Sequence, residues 1–139
     1  QQHPRDSLLW YLYAEALSQA ETGARHSPDA LAAAERSVAL DEQYVPARDL
    51  LALLYLHANQ PQKALQTALA ALKIDPSDET ALYREIIARR TLGQSAEAQK
   101  LVSQLQQIRS RNMKSQQLSH SYVLRDEVAQ SGNGSQPKP

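Results

Sequence analysis

The chain has 139 residues, and its fifteen Lys and Arg balance fifteen Asp and Glu, leaving a formal net charge of zero. That balance argues against a globally basic nucleic-acid binder and against an acidic solvating tail. The absence of Cys excludes a disulfide framework, a thiol nucleophile and Cys-ligated zinc.

The chain opens Gln1-Gln2-His3 with no Met, so it is expected to be a processed or excised piece of a longer polypeptide. Asp6-Ser7 is predicted to cap a first helix that carries Trp10, Tyr13, Ala14 and Leu17 and ends near Ala20. Ser27-Pro28 opens a second, with Ser as N-cap and Pro at the first helical position, where its missing N–H is no loss. It ends near Leu40. Pro46 starts a third helix to about Ala58, and Pro61 a fourth to Ile74. Asp75-Pro76-Ser77-Asp78 breaks the chain and caps a fifth, which stops at Gly93. Ser95 begins a sixth, whose Ala98, Leu101, Val102, Leu105 and Ile108 form an amphipathic stripe. Links of about 2–7 residues make consecutive helices antiparallel neighbours. The longest apolar run, 50–56, falls far short of the ~18–20 residues of a membrane span.

A period organises these elements. Ala30-Leu31, Ala64-Leu65 and Ala98 recur every 34 residues, as do Leu40-Asp41, Ile74-Asp75 and Ile108-Arg109. A helical repeat of that length indicates stacked units, because one unit cannot bury its apolar face alone.

With these residues the chain resembles the tetratricopeptide repeat family. The stretch 45–78 carries the signature best, with Leu51, Ala52 and Tyr55 on its first helix and Ala64, Ala71 and Pro76 on and after its second. It departs at Arg48, where the family has an aromatic, and at Ala68, where a larger side chain is usual. The first repeat, about 7–44, fits with Trp10, Tyr13, Ala14 and Leu17 if the loop 22–27 holds an insertion of about four residues. The third, 79–112, keeps Leu82, Gly93 and Ala98 but puts Glu85 and Arg89 where an apolar residue and Tyr belong. The resemblance implies an all-α fold: a right-handed superhelical array of three antiparallel helical hairpins over residues 1–112.

Packing explains the small residues. Ala14, Ala52, Ala64 and Ala98 let helix axes approach to roughly 8–10 Å. The central core is then expected from Leu51, Tyr55, Leu65, Leu69 and Leu72. Residues 113–129, with Met113, Leu118, Tyr122, Val123, Leu124 and Val128 among polar side chains, read as a capping or solvating helix over the end of the array, either a seventh helix or an extension of the sixth; the alternative is a linker that orders only on a partner. Residues 130–139 are expected to form a flexible tail.

The sequence holds no catalytic constellation. His3, His26, His57 and His120 are scattered, with no pair at a spacing that would share one helix face, so no metal site is proposed. There is no Gly-rich phosphate loop and thus no cofactor motif. Glu85 and Arg89, at i and i+4, read as a structural ion pair rather than a general acid held by a cation. An enzyme is not expected.

A binding surface is. In the family, first helices line a concave groove, which places Tyr11, Glu15 and Gln19, then Asp49, Leu53, Leu56 and His57, then Tyr83, Ile87 and Arg90 along it. Tyrosines supply contact area with a polar tip, the leucines and Ile87 an apolar floor, and Glu15 with Asp49 an acidic edge. Some family members clamp a chaperone's C-terminal carboxylate with Lys and Asn at such places. Here Glu15 and Asp49 would repel one, so a peptide with apolar side chains and a positive residue fits better.

The zero net charge hides an asymmetry. Residues 1–79 carry six cations against eleven anions, a net of −5, and residues 84–114 carry seven against two, a net of +5. Cations near helix C-termini explain the basic end without invoking nucleic acid, since no aromatic interleaving suits base stacking. Head-to-tail association of two copies is the other arrangement these charges suggest. The sequence thus points to a non-catalytic, bacterial-looking protein–protein interaction module with a protein or peptide partner. Its alternatives are a structural or self-associating segment, or a regulatory appendage of an enzyme. Nothing in it fixes a compartment.

Overall fold

In a computed structural model, residues 3–20 and 27–131 are described. Six α-helices follow in chain order: α1 Pro4–Ala20, α2 Pro28–Leu40, α3 Val45–His57, α4 Pro61–Ile74, α5 Glu79–Thr91 and α6 Ser95–Ser131. The described residues contain no strand. The chain divides into two units, 1–105 and 106–139. The expected insertion falls mostly on residues 21–26, and the expected tail on 132–139, both outside the described residues.

Within the first unit α1 packs on α2, α2 on α3, α3 on α4 and α4 on α5. The first helices of the hairpins also touch in succession, α1 against α3 and α3 against α5. This is the stacked-hairpin architecture that the period implied. The seams are built from alanine: Ala14, Ala30, Ala34, Ala52, Ala64 and Ala98 are all fully buried. A methyl group at the contact lets backbones approach, and Leu51, Leu54, Tyr55 and Leu65 fill the space beside it.

The turns repeat with the same period. Asn59, at φ 57°, and Gly93, at φ 79°, are left-handed residues 34 positions apart. Each closes a helix with the same pair of bonds, Asn59 N–H to the Leu56 carbonyl with Gln60 N–H to Tyr55, and Gly93 N–H to Arg90 with Gln94 N–H to Arg89. These are Schellman closures, which spend a left-handed residue to satisfy the last carbonyls of a helix. The common turn assigns α5 and the start of α6 as the third hairpin.

Three expectations need correction. Ser7 does not cap α1, which already begins at Pro4. Ser7 is fully buried, and its hydroxyl donates to the Ser37 carbonyl at 2.9 Å, while the Ser37 hydroxyl donates to the Ser7 carbonyl at 2.7 Å. Two small hydroxyls that satisfy each other's neighbouring helix can be buried at a seam where a larger polar group could not. Leu69 does not join the core and is 36 % exposed. The buried face of α4 is centred on Ala64, Ala68 and Ala71, and a step of one residue beyond Ala68 turns about 100° away from it. On the other side of that face Thr67 is buried, its hydroxyl donating to the Lys63 carbonyl at 2.8 Å. Trp10 and Tyr13 are likewise exposed on α1, whereas Ala14 and Leu17 of the same signature face the core.

α6 continues without interruption through residues 113–129, as an extension of the sixth helix. Its Met113, Leu118, Tyr122 and Val123 are exposed in the single chain.

Candidate functional site

The face shared by α1, α3 and α5 gathers tyrosines and carboxylates. Tyr11 on α1 meets Tyr44, the residue before α3, edge to face, with ring centroids 5.5 Å apart and planes at 87°. Asp78 holds the equivalent place before α5, 34 residues on, and its Oδ1 accepts from the Thr80 N–H at 3.1 Å. On α5 the Arg84 guanidinium stands 5.6 Å from the centre of the Tyr83 ring, a cation–π distance.

Polar groups here are incompletely paired. Arg84 Nε is a buried atom without a hydrogen-bond partner among the described residues, while the Asp49 and Asp78 carboxyls bond each other.

The electrostatics tie the groups together. Burial pushes the Asp49 carboxyl up from 3.8 to about 8, helped by a hydrogen bond and charge repulsion from Asp78 and by Asp75, against the opposing pull of Arg84. Two carboxyl groups this close cannot both ionise cheaply, and one proton held between them relieves the repulsion. The Tyr11 hydroxyl is also raised, first by burial and then by the charges of Glu15, Tyr44 and Asp49. Both shifts mark an acidic, partly dehydrated surface.

A pH dependence follows. Between about pH 4 and pH 8 the folded chain holds a proton at Asp49 that the unfolded chain has released. Stability contributed by this group is therefore complete below about pH 4 and is lost as pH rises through about 8. Urea unfolding at about pH 5 and pH 9 should show the wild type less stable at the higher value by about 1–2 kcal/mol, the figure being reduced for partial exposure. Asp49→Asn should remove most of that difference. An equal fall in both proteins would assign it elsewhere.

Among the residues expected on the groove, the structure brings Tyr11, Glu15 and Asp49 into one electrostatic neighbourhood. Tyr83 is exposed beneath Arg84, and His57, Arg90 and Gln19 are exposed. Leu53 and Ile87 are half-buried. Leu56, also half-buried, packs against the core cluster. Tyr44, Asp78 and Arg84 escaped the sequence reading. The repeat register carried the signal for two of them, since Tyr44 and Asp78 occupy the same position in successive units.

Glu85 and Arg89 do form an ion pair, at 2.7 Å, and Arg89 also donates to Gln94 Oε1 at 2.8 Å. Glu85 is buried, so the pair belongs to the interior of α5 and not to the shared face. Among the described residues no cluster of His, Cys, Asp and Glu could hold a metal ion, and no helix is long and apolar enough to cross a membrane.

No family model and no curated protein matches the chain. Solved structures do. The second TPR of Spaghetti (RPAP3), bound to the HSP90 peptide SRMEEVD, is similar with a TM-score of 0.69 and 19 % identity, over 76 % of this chain and 94 % of that one. MamA is similar with a TM-score of 0.70 and 20 % identity, over 81 % of this chain. This chain spans 63 % of the MamA chain. The fold is TPR-like.

Proposed function

We propose that the protein is a non-catalytic interaction module whose shared α1–α3–α5 face is a groove for a peptide or protein segment bearing a cation beside apolar side chains. The observation that carries this reading is the coupled Asp49–Asp78 carboxyl pair beside Arg84, on a face flanked by tyrosines. A ligand guanidinium or ammonium would supply donors to the carboxylates, and a ligand carbonyl would accept from Arg84 Nε. Tyr11, Tyr44 and Tyr83 offer ring faces for apolar side chains and for the stem of a Lys or Arg. The similar RPAP3 domain takes the peptide SRMEEVD, which ends in acidic residues. Glu15 and the single negative charge shared by Asp49 and Asp78 disfavour such a sequence, so this chain's ligand is taken to differ in charge.

Fluorescence anisotropy with a labelled helical peptide of Lys, Leu and Tyr, alongside labelled SRMEEVD, tests this. The basic peptide should bind, and the double variant Asp49→Lys, Tyr83→Ala should weaken it at least about tenfold, the loss of one ion pair and one aromatic contact. SRMEEVD should not compete. Equal binding of the basic peptide by wild type and variant, or preference for SRMEEVD, would sink the reading.

A further inference from the structure

α1 is apolar on two opposite sides. Ser7 and Ala14 are buried on one of them. On the other, Leu9, Leu12, Tyr13, Ala16 and Ala20 keep to the spacing of a single helix stripe, and all five are exposed. Leu8 and Trp10 flank the stripe and are exposed too. No charged residue stands between Asp6 and Glu15. The repeat register shows what such a stripe does elsewhere in the chain. Tyr13, Ala14 and Leu17 correspond to Leu51, Ala52 and Tyr55, so the stripe corresponds to Ala47, Leu50, Leu51 and Leu54 of α3 and, 34 residues on, to positions 81, 84, 85 and 88 of α5. Ala47, Leu51 and Leu54 are buried, as are Ala81, Glu85 and Ala88. α3 packs on α2 and α5 on α4, whereas no described helix precedes α1. What the chain covers in its second and third hairpins it leaves open in its first.

We infer that the open stripe is a contact between two copies of this chain, α1 packing antiparallel on α1 about a two-fold axis. The stripe is complementary to itself in that sense only. Its first half is bulky, with Leu9, Leu12 and Tyr13, and its second half is small, with Ala16 and Ala20. Antiparallel pairing centred between positions 14 and 15 sets Leu9 over the second copy's Ala20 and Tyr13 over its Ala16, and the reverse. That repeats the alanine notches through which helices meet inside each chain. Parallel pairing would set leucine on leucine and leave the alanines facing a gap. The area is sufficient. The exposed parts of Leu8, Leu9, Trp10, Leu12 and Tyr13 amount to roughly 500–600 Å² per copy, or about 1,000–1,200 Å² in a pair. That is the lower range of stable interfaces, and the upper range of apolar patches that monomers leave in water. An isologous contact also closes at two copies. Tyr11 lies two steps of about 100° beyond Leu9, so the contact does not use the groove.

Sedimentation velocity on the full chain at rising concentration provides the test, with a dimer and nothing larger expected. The variant Leu9→Lys, Leu12→Lys should stay monomeric, with circular dichroism confirming an unchanged helix content. Ala16→Leu discriminates further. If the alanine is a notch, filling it should weaken dimerisation at least about tenfold, whereas a surface that is merely apolar would associate more strongly. Because the chain has no cysteine, Leu9→Cys and Ala20→Cys can each be introduced alone. Oxidised as a mixture, they should give disulfide-linked pairs of unlike variants, since the antiparallel contact brings those two positions together. The groove variant Asp49→Lys, Tyr83→Ala should dimerise like the wild type. A monomer at every concentration, dimers untouched by the two lysines, or dimers tightened by Ala16→Leu would overturn the inference. Cross-linked pairs of like variants only, or loss of the dimer in the groove variant, would overturn it as well, by assigning the contact a parallel sense or a different face.

Discussion

Leu82→Ala should lower the unfolding free energy by about 3–5 kcal/mol, the range for emptying a tightly enclosed leucine site. Leu82 is only 1 % exposed, the largest side chain among those fully enclosed. Neighbouring helices are joined through alanine seams that leave little slack to collapse into the void. Domains of this size are stable by about 5–15 kcal/mol, so the variant should sit near the edge of folding. Urea titration followed by circular dichroism gives the number. Leu118→Ala, on an exposed part of α6, is the control and should change stability by no more than about 0.5 kcal/mol. Similar losses from both would mean that α5 is not the packed element described above.

Arg89→Met should cost about 3 kcal/mol for a different reason. Glu85 is only 4 % exposed, and its carboxylate is neutralised by Arg89 at 2.7 Å. Removing the guanidinium leaves a buried charge without its counterion and deprives Gln94 Oε1 of its donor. Removing both charges should be far milder. Thirty-four residues earlier the same two positions hold Leu51 and Tyr55, both buried. The double variant Glu85→Leu, Arg89→Tyr copies that apolar arrangement into α5 and should recover most of the loss, since buried ion pairs are often matched by well-packed apolar residues. A double variant as unstable as Arg89→Met alone would show that α5 relies on the ion pair for more than charge compensation.

The architecture was largely legible because repetition amplifies weak signals. One Ser27-Pro28 start is suggestive, but Pro61 and Ser95 at related places in later units make the helix boundaries hard to misread. The side-chain environments were less legible. Leu69 looked like core by type, yet α4 buries its alanine face and leaves that leucine in water. Ser7 looked like a cap because Ser is good at capping, and only the approach of Ser37 from α2 explains its burial. For the binding face, the family's groove positions yield Tyr11, Glu15, Asp49 and Tyr83 but not the residues just before α3 and α5. Tyr44 and Asp78 turn from those joints toward Tyr11 and Asp49. A side chain placed by a loop depends on how two units stack, which period alone does not specify.

The chain's one tryptophan stands at 39 % exposure on α1, edge-on to Tyr13 with centroids 6.0 Å apart. About 100° around the same helix, Tyr11 looks toward the acidic face. The molecule therefore carries an intrinsic optical probe for one side of its first helix. Material settling over Leu9, Trp10 and Tyr13 would dry the indole and shift its emission to the blue, whereas a ligand held beside Tyr11 would leave the colour unchanged. Steady-state fluorescence can thus separate attachment at the two sides without any label.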